Sequence, residues 1–143
     1  LWSGVSDKDF HLQASKRQLL TGDYFNMQIK TPEAGYLSFF LIYTSGQAVS
    51  LLTNQKVKKD QSITYPDLTE YNGLIADLNN DLNRGQDLYL ALLCQIKKDF
   101  GRIEPISDKY LASQNSYNFN LLLTKTESCQ TASEIVYIRL NKT

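Results

Sequence analysis

The 143-residue chain contains a single histidine, His11, and only two cysteines. A Ser-His-Asp triad or a Cys-His pair would have to use His11, which stands in a polar stretch near the start of the chain. One histidine and two cysteines are also too few for the usual four-ligand zinc site. The sequence lacks a glycine-rich phosphate loop as well. We therefore expect a protein that is not an enzyme and that holds no metal or cofactor.

An excess of charge of either sign is also missing, since fifteen basic and fifteen acidic residues cancel. The densest basic cluster, Lys56, Lys58 and Lys59, is followed at once by Asp60 and is typical of a solvated loop. A neutral chain with scattered charges gives no electrostatic reason to bind nucleic acid or anionic lipid. The predicted partner is therefore not a nucleic acid.

Long hydrophobic runs are absent too. The most apolar run, YLSFFLIY at 36–43, is eight residues long, far short of the roughly 20 that a membrane helix needs. A turn with Gly46 and a second apolar run, AVSLL, follow it, which predicts a β-hairpin with both faces largely covered. We expect no membrane span in this chain. Because the chain begins with Leu1, we expect a mature form or a domain excised from a longer protein, and an upstream signal or lipoprotein anchor is compatible with it.

Alternation of apolar and polar residues indicates several strands. Phe10, Leu12 and Ala14 alternate in FHLQA, which predicts an edge strand, and the segments at 24–30 and 132–140 show the same period of two. Polar segments at 53–61 and 79–87 predict loops. The segment at 117–126 fits a strand or a helix, and a helix capped by Ser116 is favoured. The pattern predicts one all-β domain over 1–143, a β-sandwich of seven or eight strands with one or two short helices.

The two cysteines leave two alternatives open. Cys94 falls in a strongly apolar predicted strand, and Cys129 just precedes the last one. They are either one buried and one exposed thiol, or a disulfide that ties the last strand to the core. A disulfide would indicate an oxidising compartment.

Acidic residues cluster at one place. Asp77, Asn79, Asp81 and Asn83 are spaced like the first ligands of a calcium loop, but the sixth and twelfth positions hold leucines rather than the required Gly and Glu. The segment is therefore interpreted as a polar loop. A minor hypothesis is a hydrolase that uses Asp77, Asp81 or Asp87, which requires these carboxylates to meet in a pocket with raised pKa values.

Tyrosine is abundant, with nine residues. Four of them lie in polar contexts and are candidates for an interaction surface: Tyr65, Tyr71, Tyr110 and Tyr117. Exposed aromatic side chains are common in protein interfaces and on sugar-binding faces.

The order of motifs from about Leu19 to Leu140 resembles the bacterial domain of unknown function family 4384. The similarity rests on the Gly22-Asp23 turn before a strand, on the Gly35-Tyr36-Leu37 entry into the next one, and on RGQDLYLALLCQ and ASEIVYIRL further on. Leu52-Thr53-Asn54 stands where the family usually has a Phe-Pro-Asn corner. The resemblance implies an immunoglobulin-like β-sandwich, often joined to other modules in envelope-associated or secreted bacterial proteins, and it implies no catalytic residues.

Three functional hypotheses follow. The first is a non-catalytic protein-protein interaction or structural module of a bacterial cell-envelope assembly, such as secretion or motility machinery, in the periplasm or at the outer membrane. The edge strand FHLQA would offer β-augmentation to a partner. The second is a carbohydrate- or peptidoglycan-binding module that uses exposed tyrosines. The third is the hydrolase.

Overall fold

The computed structural model describes residues 9–43, 48–78, 83–100 and 128–142. The described residues form ten strands and no helix, so the predicted all-β class is confirmed. The short helices are absent from this part of the chain, and the segment at 117–126 lies outside it. The strands are β1 His11–Ala14, β2 Gln18–Leu20, β3 Tyr24–Phe25, β4 Met27–Thr31, β5 Gly35–Ile42, β6 Ala48–Val57, β7 Gln61–Tyr65, β8 Leu74–Ile75, β9 Arg84–Cys94 and β10 Cys129–Arg139.

The largest sheet has five strands in the order β2-β10-β9-β5-β6. β9 and β10 pair antiparallel over their full length, from Cys94 opposite Cys129 to Arg84 opposite Arg139. β5 pairs antiparallel with β6 and β9, which confirms the predicted hairpin. β5 lies inside the sheet and is mostly buried, whereas β6 is the edge strand and carries exposed residues, so the expected cover of both arms holds for β5 alone. The short β2 adds to β10 in parallel, so the sheet contains one parallel pair.

Two smaller sheets complete the described fold. β1, β4 and β7 form a three-stranded antiparallel sheet with β4 in the centre. The predicted alternation in the first strand is confirmed, since Phe10, Leu12 and Ala14 are buried and β1 lies at the sheet edge. β3 and β8 form a two-residue pair, in which Tyr24 is opposite Ile75.

The five-stranded sheet carries a hydrophobic cluster on each face. On one face, alternate residues of β5, β9 and β10 pack with the three-stranded sheet; Phe39, Tyr89 and Val136 belong to this cluster, together with Met27 and Ile29 of β4. We call this the covered face. The opposite face holds a smaller cluster: Phe40, Ile42, Ala48, Leu92, Cys94, Phe100 and Cys129. The main core therefore lies between the three-stranded and five-stranded sheets.

Two predicted loops are wrong in part, because strand pairing extends into them; residues 58–60 do form a connection, and 79–82 lie outside the described residues. Residues 53–57 continue β6 beyond a register shift, where Asn54 has a φ of 49°. The Ser38 hydroxyl accepts the Asn54 N–H (2.9 Å), and the Asn54 amide bonds the backbone of Lys98. Residues 84–87, predicted as loop, begin β9 and pair with the end of β10. The predicted total of seven or eight strands is too low for a different reason: β2 was not predicted, and the predicted strand at 24–30 is divided into β3 and β4.

No helix among the described residues is long and apolar enough to cross a membrane.

Candidate functional site

A disulfide joins Cys94 and Cys129, with an S–S distance of 2.02 Å. The residues are direct partners on neighbouring antiparallel strands, and their Cα atoms are 4.4 Å apart. Both cysteines are buried. Of the two alternatives for the cysteines, the structure therefore has the disulfide, and the alternative with an exposed thiol at Cys129 is wrong.

Tyr65 and Tyr71, two of the four candidate tyrosines, line one open cleft of about 680 Å³. Tyr110 and Tyr117 lie outside the described residues. We call this cleft the tyrosine cleft. Its walls come from β6, β7 and the segment between β7 and β8, and the lining residues are Leu52, Gln55, Ile63, Thr64, Tyr65, Pro66, Asp67, Tyr71, Gly73 and Leu74.

The two tyrosines differ in exposure. Tyr65 is half-buried at the end of β7, and its ring meets Phe39 edge-on at 5.5 Å. Burial, together with nearby Tyr71, raises the pKa of Tyr65 above its usual value. Tyr71, in contrast, is 60% exposed. The cleft therefore presents the exposed ring of Tyr71 and the half-buried ring of Tyr65.

The segment between β7 and β8 carries Tyr71, whose N–H donates to the Asp67 carbonyl oxygen at 2.9 Å. The Tyr65–Pro66 peptide bond is cis, and Asp67 accepts hydrogen bonds from the backbone and hydroxyl of Thr69. These bonds lower the pKa of Asp67. Gly73 has a φ of 142°, and a Cβ there would meet the Phe25 carbonyl oxygen at 2.8 Å. Only glycine fits this approach without a backbone shift.

Large exposed apolar side chains occur in the same segment and in the β3–β8 strand pair, which Gly73 approaches closely. Tyr24 and Ile75, which are 53% and 59% exposed, form the cross-strand pair of β3 and β8. Leu68 and Tyr71 are exposed in the preceding connection. We call these four residues the apolar rim. Sets of exposed apolar side chains next to a cleft are a common mark of an interaction site.

A second cleft, of about 750 Å³, lies on the five-stranded sheet where β2, the end of β10 and the start of β9 meet. We call it the arginine cleft. Its lining residues are Lys16, Gln18, Leu19, Leu20, Asp23, Arg84, Gly85, Gln86, Tyr137, Ile138 and Arg139. The period of two at 132–140 puts Tyr137 and Arg139 on one side of the last strand, but it does not indicate which strands flank them.

The carboxylates of the hydrolase hypothesis are only partly described. Asp87 lies on β9, and burial, with a smaller effect of the Asp77 charge, raises its pKa to about 6. Asp81 lies outside the described residues. Neither Asp77 nor Asp87 lines the tyrosine cleft or the arginine cleft. Among the described residues, no group of three His, Cys, Asp or Glu side chains could hold a metal ion.

One backbone N–H of the predicted edge strand β1 already has a hydrogen-bond partner within the protein. Ala14 donates its N–H to a buried carboxylate oxygen of Glu134 at 3.0 Å. The same oxygen accepts from Arg17 Nε at 3.1 Å. A peptide that added to β1 would have to displace this carboxylate at Ala14, so the tyrosine cleft is the better candidate for binding.

Comparison of the chain with models of known protein families, with curated proteins and with solved structures finds no match.

Proposed function

We propose that this chain is a non-catalytic protein-binding module of a bacterial cell-envelope assembly, such as secretion or motility machinery. The resemblance to the bacterial domain of unknown function family 4384 and an immunoglobulin-like arrangement of the sandwich are part of the proposal. The observation that carries the proposal is the apolar rim beside the tyrosine cleft. Aromatic and aliphatic side chains that are exposed in the free protein contribute most to the free energy of binding when a partner buries them.

The disulfide supports the proposed periplasmic or outer-membrane location. Structural disulfides persist in oxidising compartments and are rare in the reducing cytosol. The Cys94–Cys129 bond lies within a central strand pair, where both sulfur atoms are buried. A fold of this kind suits a secreted or envelope protein.

Carbohydrate or peptidoglycan binding is the second candidate, and the composition of the tyrosine cleft favours it. The exposed ring of Tyr71 offers a stacking face, while Gln55, Thr64 and Asp67 bring amide, hydroxyl and carboxylate groups to the same cleft. Tyr65 is already half-buried against Phe39. Tyr71 is the one open ring among the residues that line the cleft, and it gives a sugar less stacking area than a row of exposed rings would, so we place protein binding first.

Two isoleucines provide a matched test. Ile75 is 59% exposed in the apolar rim, and Ile96 is 65% exposed outside both clefts. The protein carrying Ile75→Ser or Ile96→Ser is cross-linked mildly in its native cells, and retained proteins are quantified by mass spectrometry. We expect Ile75→Ser to reduce recovery of envelope partners about tenfold, the effect of an interface anchor. Ile96→Ser should leave recovery at the wild-type level.

Either of two results would overturn the protein-binding proposal. One is that no envelope protein is retained by the wild-type chain. The other is that Ile75→Ser and Ile96→Ser reduce recovery equally, which would indicate non-specific adhesion. Binding of wild-type protein, but not of Tyr71→Ala, on an array of peptidoglycan fragments would then establish the carbohydrate alternative.

A further inference from the structure

We propose that the arginine cleft binds an acidic, carboxylate-rich segment of a protein partner. The inference rests on the proposed function only in taking the ligand to be a protein. It adds a second site, on a sheet face separate from the tyrosine cleft, and it specifies the chemistry of the partner.

The first argument is an unfavourable pair of charges. Arg84 and Arg139 are direct cross-strand partners on β9 and β10, and both are exposed. Side chains in such a pair leave the same face of the sheet with Cβ atoms about 5 Å apart, and like charges there are destabilising. Two adjacent guanidinium groups become favourable when a carboxylate binds between them, because each presents a fork of donors that matches carboxylate oxygens.

The second argument concerns the acidic group of the same cleft. Asp23 is its one acidic residue, against the cations Lys16, Arg84 and Arg139. One oxygen of Asp23 accepts the Leu20 N–H at 2.9 Å and lies 3.6 Å from Lys16 Nζ. Among the described residues, neither arginine has a salt bridge to a carboxylate. The cleft therefore keeps a local excess of positive charge in a chain whose net charge is zero.

The third argument concerns the side chains beside the two arginines, at the position of Tyr137 on β10 and its cross-strand neighbours. Tyr137, 48% exposed, has Gln18 of β2 on one side and Gln86 of β9 on the other. Amide and hydroxyl groups both donate and accept, so Gln18 and Tyr137 suit the alternating N–H and C=O groups of a peptide backbone. Among the lining residues, a lone tyrosine gives a sugar ring one stacking surface. These side chains therefore favour an acidic peptide over an acidic glycan.

The size of the cleft limits the length of the segment. Three neighbouring strands span about 10 Å between the outer two, and the cavity of about 750 Å³ lies within the range of specific ligand sites. An extended peptide rises about 3.3 Å per residue. The cleft therefore accommodates a segment of about four residues, with carboxylates that reach Arg84, Arg139 and Lys16.

The test uses a fluorescein-labelled peptide with four consecutive glutamates and a control peptide with four glutamines. Binding to the intact chain is measured by fluorescence anisotropy at low salt and again at higher salt. The variant Arg84→Gln/Arg139→Gln removes two charges from the cleft. The matched control Lys30→Gln/Lys56→Gln removes two charges from exposed positions on β4 and β6, so both variants have the same net charge.

We expect the glutamate peptide to bind the wild-type chain, more weakly at higher salt, and the glutamine peptide to bind at least about tenfold more weakly. The double arginine variant should lose about tenfold or more in affinity, while the lysine control changes less than about twofold. Arg84→Lys/Arg139→Lys, which keeps the charge and removes the paired donors, should fall between these values. The Arg84→Gln/Arg139→Gln variant should also unfold at the wild-type temperature or above it, because the repulsion is relieved.

Three outcomes would overturn the inference. They are absence of glutamate-peptide binding, equal weakening in the arginine and lysine variants, and tighter binding of a tetragalacturonate probe than of the peptide. The proposed function is tested separately by partner recovery with Ile75→Ser. Recovery that depends on Ile75 but not on Arg84 and Arg139 would leave the proposed function standing and remove this site.

Discussion

The two faces of the five-stranded sheet bury phenylalanines that are neighbours in sequence but have different surroundings. Phe39 points to the covered face, where its ring stacks with Tyr89 at 5.7 Å and meets Tyr65 edge-on at 5.5 Å. Phe40 points to the opposite face, where its ring meets Phe100 at 5.2 Å. Both side chains are fully buried.

The comparison shows how one sheet serves two purposes. The covered face is closed by the three-stranded sheet and supplies most of the core. On the opposite face, the cluster around the disulfide occupies one end of β9 and β10, and the arginine cleft occupies the other end. Because one face provides the main core, the other can keep polar and charged side chains exposed for binding. The predictions below test this division of roles.

The largest expected effect is the loss of a buried ring on either face. Truncating a buried phenylalanine to alanine costs about 3–5 kcal/mol, and an aromatic pair adds about 0.5–1.5 kcal/mol. We expect Phe39→Ala to lower the free energy of unfolding by about 4 kcal/mol, and Phe40→Ala by about 1 kcal/mol less, because among the described residues Phe39 has two ring partners and Phe40 has one. Urea unfolding of both variants measures the difference. A greater loss for Phe40→Ala would contradict the assignment of the main core to the covered face.

The next effect is removal of the disulfide. The bond spans a sequence separation of 35 residues, and loss of such a link costs about 2–4 kcal/mol. We expect Cys94→Ala/Cys129→Ala to lose this amount in chemical denaturation, and reductant to destabilise the wild-type chain but not the variant. Wild-type stability that does not respond to complete reduction would contradict the prediction.

The same bond distinguishes the two faces. Cys94 and Cys129 share a cluster with Phe40 and not with Phe39. Because neighbouring sites couple and distant sites add, the losses from reduction and Phe40→Ala should be non-additive, whereas reduction and Phe39→Ala should add. Equal coupling to both phenylalanines would show that the faces are not energetically separate.

Local sequence patterns predicted the parts of the fold that depend on neighbouring residues. The alternation of Phe10, Leu12 and Ala14 predicted an edge strand, and the two apolar runs around Gly46 predicted a hairpin, since period and turn signals are properties of a short segment. The all-β class followed from the same signals.

Other features of the fold depend on pairing between residues that are distant in sequence, and local patterns could not predict them. Residues 84–87 are polar and resemble a loop, but they pair with the end of β10, which is distant in sequence. The same pairing brings Arg84 opposite Arg139 and creates the arginine cleft, so the cleft could not be predicted without the register. The exposure of Tyr71 was predictable from its polar context, whereas its place beside Tyr65 depends on the turn through Pro66 and Asp67.

The smallest expected effect lies at an ionisable group on the covered face. Asp87 alternates with Tyr89 and Ala91, which belong to the main core, and burial raises its pKa from about 3.8 to about 6. The fold therefore favours the protonated carboxyl. This contribution to stability is complete below pH 4 and is lost as the pH rises from about 4 to 6. Above pH 6, the ionised group lowers the free energy of unfolding by about 2 kcal/mol, after discounting for its partial exposure.

Asp87→Asn should consequently stabilise the chain by about 1–2 kcal/mol at pH 7 and should match the wild type at pH 4, because asparagine carries no charge at either pH. Asp77→Asn removes the nearby charge and should produce a smaller gain at pH 7, since burial is the larger cause of the shift. Urea unfolding at the two pH values measures both variants. If Asp87→Asn instead destabilises the chain at pH 7, the ionised carboxylate is held by a favourable interaction. The covered face would then include a stabilising charged site in addition to its apolar core.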